Sequence, residues 1–124
     1  MRATGERREF LRAGISVFIN ENFHCDIQLA RAMDICESGL CYIKPSGSFE
    51  RHDRQVTLEF CLPDEATPLR TRGEVVYDRL DENTHKTAVV FTHLEAGDAE
   101  RIRNYVIKRK RAEIFEQLRT EHLR

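Results

Sequence analysis

The sequence contains no tryptophan, only three prolines and six glycines in 124 residues, and 8% aromatic side chains. Basic residues interleaved with exposed aromatics, on which single-stranded nucleic acid stacks, are absent, so a nucleic-acid barrel is not expected. No stretch approaches the roughly 20 apolar residues of a membrane helix, and the opening Met-Arg-Ala-Thr-Gly-Glu-Arg-Arg lacks the apolar run of a signal peptide. The expectation is a cytoplasmic chain without membrane insertion. Charge of one sign is lacking too. The formal net charge is -1 with 33% charged residues, so no global field draws the chain to a polyanion and any anion site has to be local.

Catalytic and metal signatures are equally sparse. The four cysteines, Cys25, Cys36, Cys41 and Cys61, form no C-x-x-C pair. Their spacing with His24 or His52 matches no common zinc pattern, and in a reducing compartment they read as small strand-filling hydrophobes. The five histidines, His24, His52, His85, His93 and His122, stand singly in polar surroundings. No P-loop and no Ser/His/Asp context is present. The chain therefore reads as a non-enzyme with no catalytic residue, no metal and no cofactor.

The length fits one domain with a single core. Residues 1–12 are rich in arginine and poor in apolar residues, and read as a mobile arm. From Gly14 strand signals take over. Ile15, Val17 and Ile19 alternate, then Cys25, Ile27, Leu29, Met33 and Ile35 recur at period two. Val56, Leu58, Phe60 and Leu62 alternate with Thr57, Glu59 and Cys61, the pattern of a strand with one wet face. Two further strands are expected at about Leu69 to Tyr77 and Lys86 to Thr92. Turn chemistry separates the runs at 20–22, 37–39, 45–48 and 63–68. Six short strands in one small domain favour an antiparallel β-barrel, because closure removes exposed edges. The barrel is placed at residues 13–96.

After Leu94 the period changes to that of a helix, placed at 97–124 with Asp98 as its N-cap. Ala99, Ile102, Tyr105 and Val106 share the face expected to lie on the barrel. Ile107, Ile114 and Leu118, with Phe115 beside them, fall nearly opposite. The helix therefore either breaks near Lys108 to Arg111 or turns its second half to something else, such as another copy of itself. A frayed end with exposed apolar residues fits the same pattern.

Two short motifs carry the chemistry: Arg8-x-x-x-Arg12, with Arg7 as a spare, and Asp34-x-Cys36-x-x-Gly39 at a turn. Arginine forks suit phosphate oxygens and the O6/N7 edge of guanine, and a carboxylate suits the N–H donors on guanine's other edge. Together they describe a site for a guanine nucleotide. Taken singly, the arginines equally fit surface ion pairs with Glu6, Glu9 or Asp34.

In order and separation the two motifs resemble the PilZ domain family, bacterial receptors for cyclic di-GMP. Its signature is Arg-x-x-x-Arg followed by Asp/Asn-x-Ser-x-x-Gly on a six-stranded, split-type barrel. The likeness extends from about Arg7 to Tyr105, through Gly73-Glu74-Val75-Val76, Ala88-Val89-Val90-Phe91 and the closing helix. It implies a mainly β fold, a six-stranded antiparallel β-barrel with a long C-terminal helix. It implies a cyclic di-GMP receptor or adaptor that orders its arginine arm on binding, with a protein effector downstream and a homodimer through the helix as a further option. It also implies that Arg8 and Arg12 meet phosphates and guanines, that Asp34 accepts from guanine N–H groups, that Arg7 adds charge, and that Gly39 lets the backbone approach the ligand. The alternative is a degenerate PilZ-like adaptor that binds a protein without nucleotide. Cys36 departs from the pattern, standing where the family has Ser. A thiol is a weak partner, and a lost neutral hydrogen bond of about 0.5–1.5 kcal/mol lowers affinity up to around tenfold.

Overall fold

The computed structural model describes residues 12–23, 26–45, 54–81 and 83–122. Seven strand segments precede one helix: β1 Ala13–Gly14, β2 Phe18–Phe23, β3 Asp26–Cys36, β4 Gly39–Pro45, β5 Gln55–Phe60, β6 Leu69–Asp81, β7 Thr84–His93 and α1 Ala96–His122. β1 and β2 run along the same edge of β3 and act as one interrupted strand. Following hydrogen-bonded neighbours from β2 through β3, β4, β7, β6 and β5 returns to β2. The result is a closed six-stranded antiparallel barrel with a C-terminal helix, as the sequence reading expected.

The barrel is filled as alternation dictates. Val56, Leu58, Phe60 and Leu62 are buried, with half-buried Thr57, Glu59 and Cys61 on the other face. β3 breaks the simple rule. Ile27 (72% exposed), Leu29 and Met33 face outward, while Ala30, Ala32 and Ile35 face in. The switch from even to odd inward positions comes from a register shift between Ala32 and Asp34. An extra residue there, Met33, reverses the side-chain phase. On the neighbouring strand the chain is interrupted at the same level, where the Ile15 amide donates to the Met33 carbonyl at 3.1 Å.

The interior also holds charge. The Lys44 ammonium lies 3.0 Å from a carboxylate oxygen of Glu21, both side chains 1% exposed, and the Tyr42 hydroxyl donates to the same carboxylate. Removing water from two charges is costly, and the pair persists because each has its counter-charge and further hydrogen bonds.

α1 begins at Ala96, one residue before the expected start at 97, so Asp98 lies inside its first turn and pairs with Arg101 at 3.1 Å. Arg101 also reaches Glu65 at 2.6 Å and the Thr67 carbonyl, pinning the helix to the β5–β6 connection. Ile102 and Val106 are buried and Ala99 and Tyr105 partly so, which is the expected barrel-facing stripe. The helix runs unbroken past Lys108–Arg111, leaving Ile114 (51%), Phe115 (75%) and Leu118 (58%) exposed. Among the described residues, no helix is long and apolar enough to cross a membrane.

Candidate functional site

Of the residues singled out in the sequence, Arg7 and Arg8 lie outside the described residues, as do His24, Cys25 and His52. Arg12, Asp34, Cys36 and Gly39 can be placed. Strand pairing sets Gly14 opposite Asp34 and Ala13 opposite Ile35. The chain leaving Arg12 therefore runs directly beside the strand that carries Asp34. Ala13 is buried and Arg12 exposed, so Arg12 belongs to the outer side, the side that Asp34 and Cys36 occupy next to inward-facing Ile35. Arg12 and the Asp34–Gly39 turn, distant in sequence, lie on one wall.

That wall can be read across strands. Asp34 pairs with Cys41, Cys41 with Ala88, and Ala88 with Tyr77. These four residues form one row on the outer surface of β3, β4, β7 and β6. Ala88 contributes only a methyl group, and the Tyr77 side chain reaches across it from β6 towards Cys41 on β4. Tyr77 is 40% exposed, its hydroxyl lies 3.8 Å from the Cys41 Sγ, and the Arg79 guanidinium sits 5.6 Å from its ring centroid. A ring backed by a guanidinium offers a flat, electron-rich surface to a planar base.

Electrostatics confirm the crowding around Cys41. Burial pushes its thiol above the ordinary value; the Tyr77 hydrogen bond opposes this, Asp34 adds to it, and Lys86 and Arg12 act against it. Burial first, and then contact with the Cys41 thiol, also raise the Tyr77 phenol. Both groups are neutral at physiological pH, so the local charge comes from Asp34 and the surrounding cations.

Cys36 and Ser38 are in direct contact, Sγ to Oγ 3.2 Å. A hydroxyl therefore lies beside the Cys36 thiol. Gly39 also has a packing reason for being glycine. A Cβ there would stand 2.3 Å from the carbonyl oxygen of Val89 on β7. The collision is with the neighbouring strand, and Gly39 lets β4 and β7 pair closely behind the site.

The helix touches β1, just beyond Arg12, and the Asp34–Gly39 turn. The Tyr105 hydroxyl donates to the Gly14 carbonyl at 2.7 Å, and Arg103 pairs with Glu37 in the turn between Asp34 and Gly39 at 2.9 Å. Among the described residues, no group of three His, Cys, Asp or Glu side chains could hold a metal ion. A groove of about 570 Å³ lined by Val17, Phe18, Phe60 and Pro63 lies on the opposite wall and contains none of the motif residues.

Sequence reasoning missed Cys41, Tyr77 and Lys86. Alternation assigns each to an outer face, but only the register shows that they adjoin Asp34.

The PilZ domain profile matches residues 6–108. No curated protein matches the chain in sequence. Among solved structures, the Bacillus subtilis inhibitor of motility (MotI/DgrA) superposes with a TM-score of 0.75 at 18% identity, over 84% of this chain and 51% of that one. The PilZ domain with c-di-GMP of YcgR from Escherichia coli gives 0.69 at 9% identity, over 90% and 97%. YcgR in complex with c-di-GMP gives 0.72 at 10% identity, over 95% and 51%. The chain thus spans about half the length of MotI and of YcgR. At these identities the likeness is one of fold.

Proposed function

Because the chain belongs to the PilZ domain family, we propose that it is a receptor that binds cyclic di-GMP on the outer face of β3 and β4 and signals without catalysis. The binding residues in this reading are Arg7, Arg8, Arg12, Asp34, Cys36 and Gly39. The observation that carries it is the pairing of Gly14 with Asp34, which brings the arginine segment and the Asp34–Gly39 turn to one wall. Asp34 accepts from guanine N–H groups, the arginine forks take phosphate oxygens and guanine edges, and the Tyr77 ring offers a stacking surface. That the PilZ domain of YcgR is described with c-di-GMP supports the choice of ligand.

In this proposal, ligand binding orders the Arg7 to Arg12 segment over Asp34. A protein effector reads the changed surface. Tyr105 and Arg103 tie α1 to β1 and to the Asp34–Gly39 turn, so the helix is placed to respond, and its exposed Ile114, Phe115 and Leu118 are the contact offered to the effector or to a second copy. Light scattering of the full chain against one ending at Lys110 separates those two partners.

Calorimetry of the purified protein with cyclic di-GMP tests the reading, together with Arg8→Ala and Arg12→Ala. Heat from the natural protein that both substitutions abolish or reduce is expected. Heat unchanged in both would sink the site assignment. No heat at micromolar protein would favour the alternative of an adaptor that binds a protein partner without nucleotide.

A further inference from the structure

We propose a second anion subsite on the same wall, formed by Lys86 and Arg79 at the far end of a cationic row that starts at Arg31, which takes the phosphodiester of the bound nucleotide that faces away from the arginine segment; this rests on the proposed binding of cyclic di-GMP. The strand register places the three cations in line. Arg31 pairs with Ile43, Ile43 with Lys86, and Lys86 with Arg79. This row lies one outward-facing step from Asp34, Cys41, Ala88 and Tyr77, on the same four strands. Adjacent strands are about 4.8 Å apart, so the row spans roughly 14 Å, beside the row that runs from Asp34 to Tyr77.

Three features give the row its meaning. The chain as a whole is nearly neutral, with a formal net charge of -1, so three cations in one line are a local excess. None of the three has a carboxylate partner among the described residues. Arg31 donates to the Ser16 hydroxyl at 2.8 Å, and Arg79 lies over the Tyr77 ring. Arg103, near the motif turn, is by contrast paired with Glu37. Finally, Lys86 and Arg12 both act on the Cys41 thiol from outside the pair it forms with Tyr77. The Cys41–Tyr77 contact therefore has positive charge from both Lys86 and Arg12 beside it.

The ligand chemistry matches this layout. A cyclic dinucleotide carries two phosphodiesters on opposite sides of its ring. Cations gathered only at the β1 edge would leave one of them without a counter-charge. Arg79 and Lys86 meet it from β6 and β7 while Tyr77 stacks on a base. Guanidinium and ammonium donors to a phosphate oxygen make charge-assisted hydrogen bonds, stronger than neutral ones.

Calorimetry with cyclic di-GMP on Lys86→Gln, Arg79→Gln and the double variant provides the test. Arg70→Gln, an outer-face cation on β6 opposite Glu59, removes the same charge away from the row. Thermal unfolding of each variant checks that the barrel is intact. Each row substitution is expected to weaken binding by about tenfold or more, and the double variant to flatten the dependence of affinity on salt. Arg70→Gln leaves both unchanged. Row variants that bind like the natural protein while Arg12→Ala loses binding would overturn the subsite and leave the proposed function standing. Equal weakening by Arg70→Gln would also overturn it, by reducing the row to a general field. Absence of binding by the natural protein removes the reading and the subsite together.

Discussion

Replacing Gly39 with alanine tests whether this motif glycine serves the ligand or the barrel. The added Cβ would lie 2.3 Å from the Val89 carbonyl oxygen and 3.3 Å from its carbon, whereas real Cβ contacts essentially never fall under 3.0 Å. β4 and β7 therefore have to separate by roughly 0.7 Å or more, at a point where Gly39 pairs with Val90 and Leu40 with Val89. Val89 is 2% exposed and packed in the core, so it cannot retreat freely. Overpacking of this kind costs about 1–3 kcal/mol, and the upper end applies because the atom struck is backbone. For a domain of this size about 1 kcal/mol moves Tm by roughly 4 °C, which gives a fall of about 8–12 °C. Gly97→Ala is the control. Its Cβ meets nothing within 4 Å, and in a helix the change stabilises by up to about 1 kcal/mol. Thermal unfolding by circular dichroism, with calorimetry against cyclic di-GMP well below Tm, separates the two roles. An unchanged Tm in Gly39→Ala with binding lost would refute the strand-packing account.

Other substitutions test other parts of the structure. With the Cys36 thiol and Ser38 hydroxyl 3.2 Å apart, Ser38→Ala should weaken cyclic di-GMP binding by about tenfold in the natural protein and by less once Cys36→Ser is present; equal losses in both backgrounds would remove Ser38 from the site. Lys44→Met leaves the buried Glu21 carboxylate without its counter-charge and should cost about 3–5 kcal/mol in urea unfolding, whereas Lys44→Met with Glu21→Gln should cost far less; similar losses would show that volume rather than charge matters there. Burial raises the Cys41 pKa above 9.0, so the folded state favours the neutral thiol. Its contribution is complete below the unfolded value and is lost as pH rises through the folded one. Cys41→Ala should therefore flatten the decline in stability above about pH 9, and an identical alkaline limb would contradict the assigned cause.

The barrel was legible because alternation is a local signal and most of the strands obey it. β5 shows this best, with every second residue from Val56 to Leu62 buried. β3 was legible as a strand but not in its facing. A bulge leaves no mark in composition, and Met33 looks like one more apolar residue in a period-two run. The only indication was that Ile27, Leu29, Met33 and Ile35 together would have demanded an inward face containing Arg31. Arg31 is exposed, and the phase reverses after it. The buried Glu21 and Lys44 were illegible for a related reason. Each alternates with apolar neighbours, but their mutual neutralisation depends on two strands that pair with β3 from opposite edges.

The site divides along the same line. Its chemistry was written in two short segments, because an arginine pair and an Asp-to-Gly turn each lie within a few residues of chain. Its extent was not, because the wall is assembled across β3, β4, β7 and β6, and one pairing fixes the next. A shift of one residue anywhere in that series would turn Tyr77 or Lys86 to the interior. The register shift between Val75 and Tyr77 is what keeps both Val75 buried and Tyr77 outside. The bulge at Met33 does the same for β3, allowing Ile35 to fill the core while Asp34 stays on the wall. Two irregularities, one on each flanking strand, therefore set the acid and the aromatic on the same wall. Regular alternation through β3 and β6 could not have presented both from the same strands that build the core.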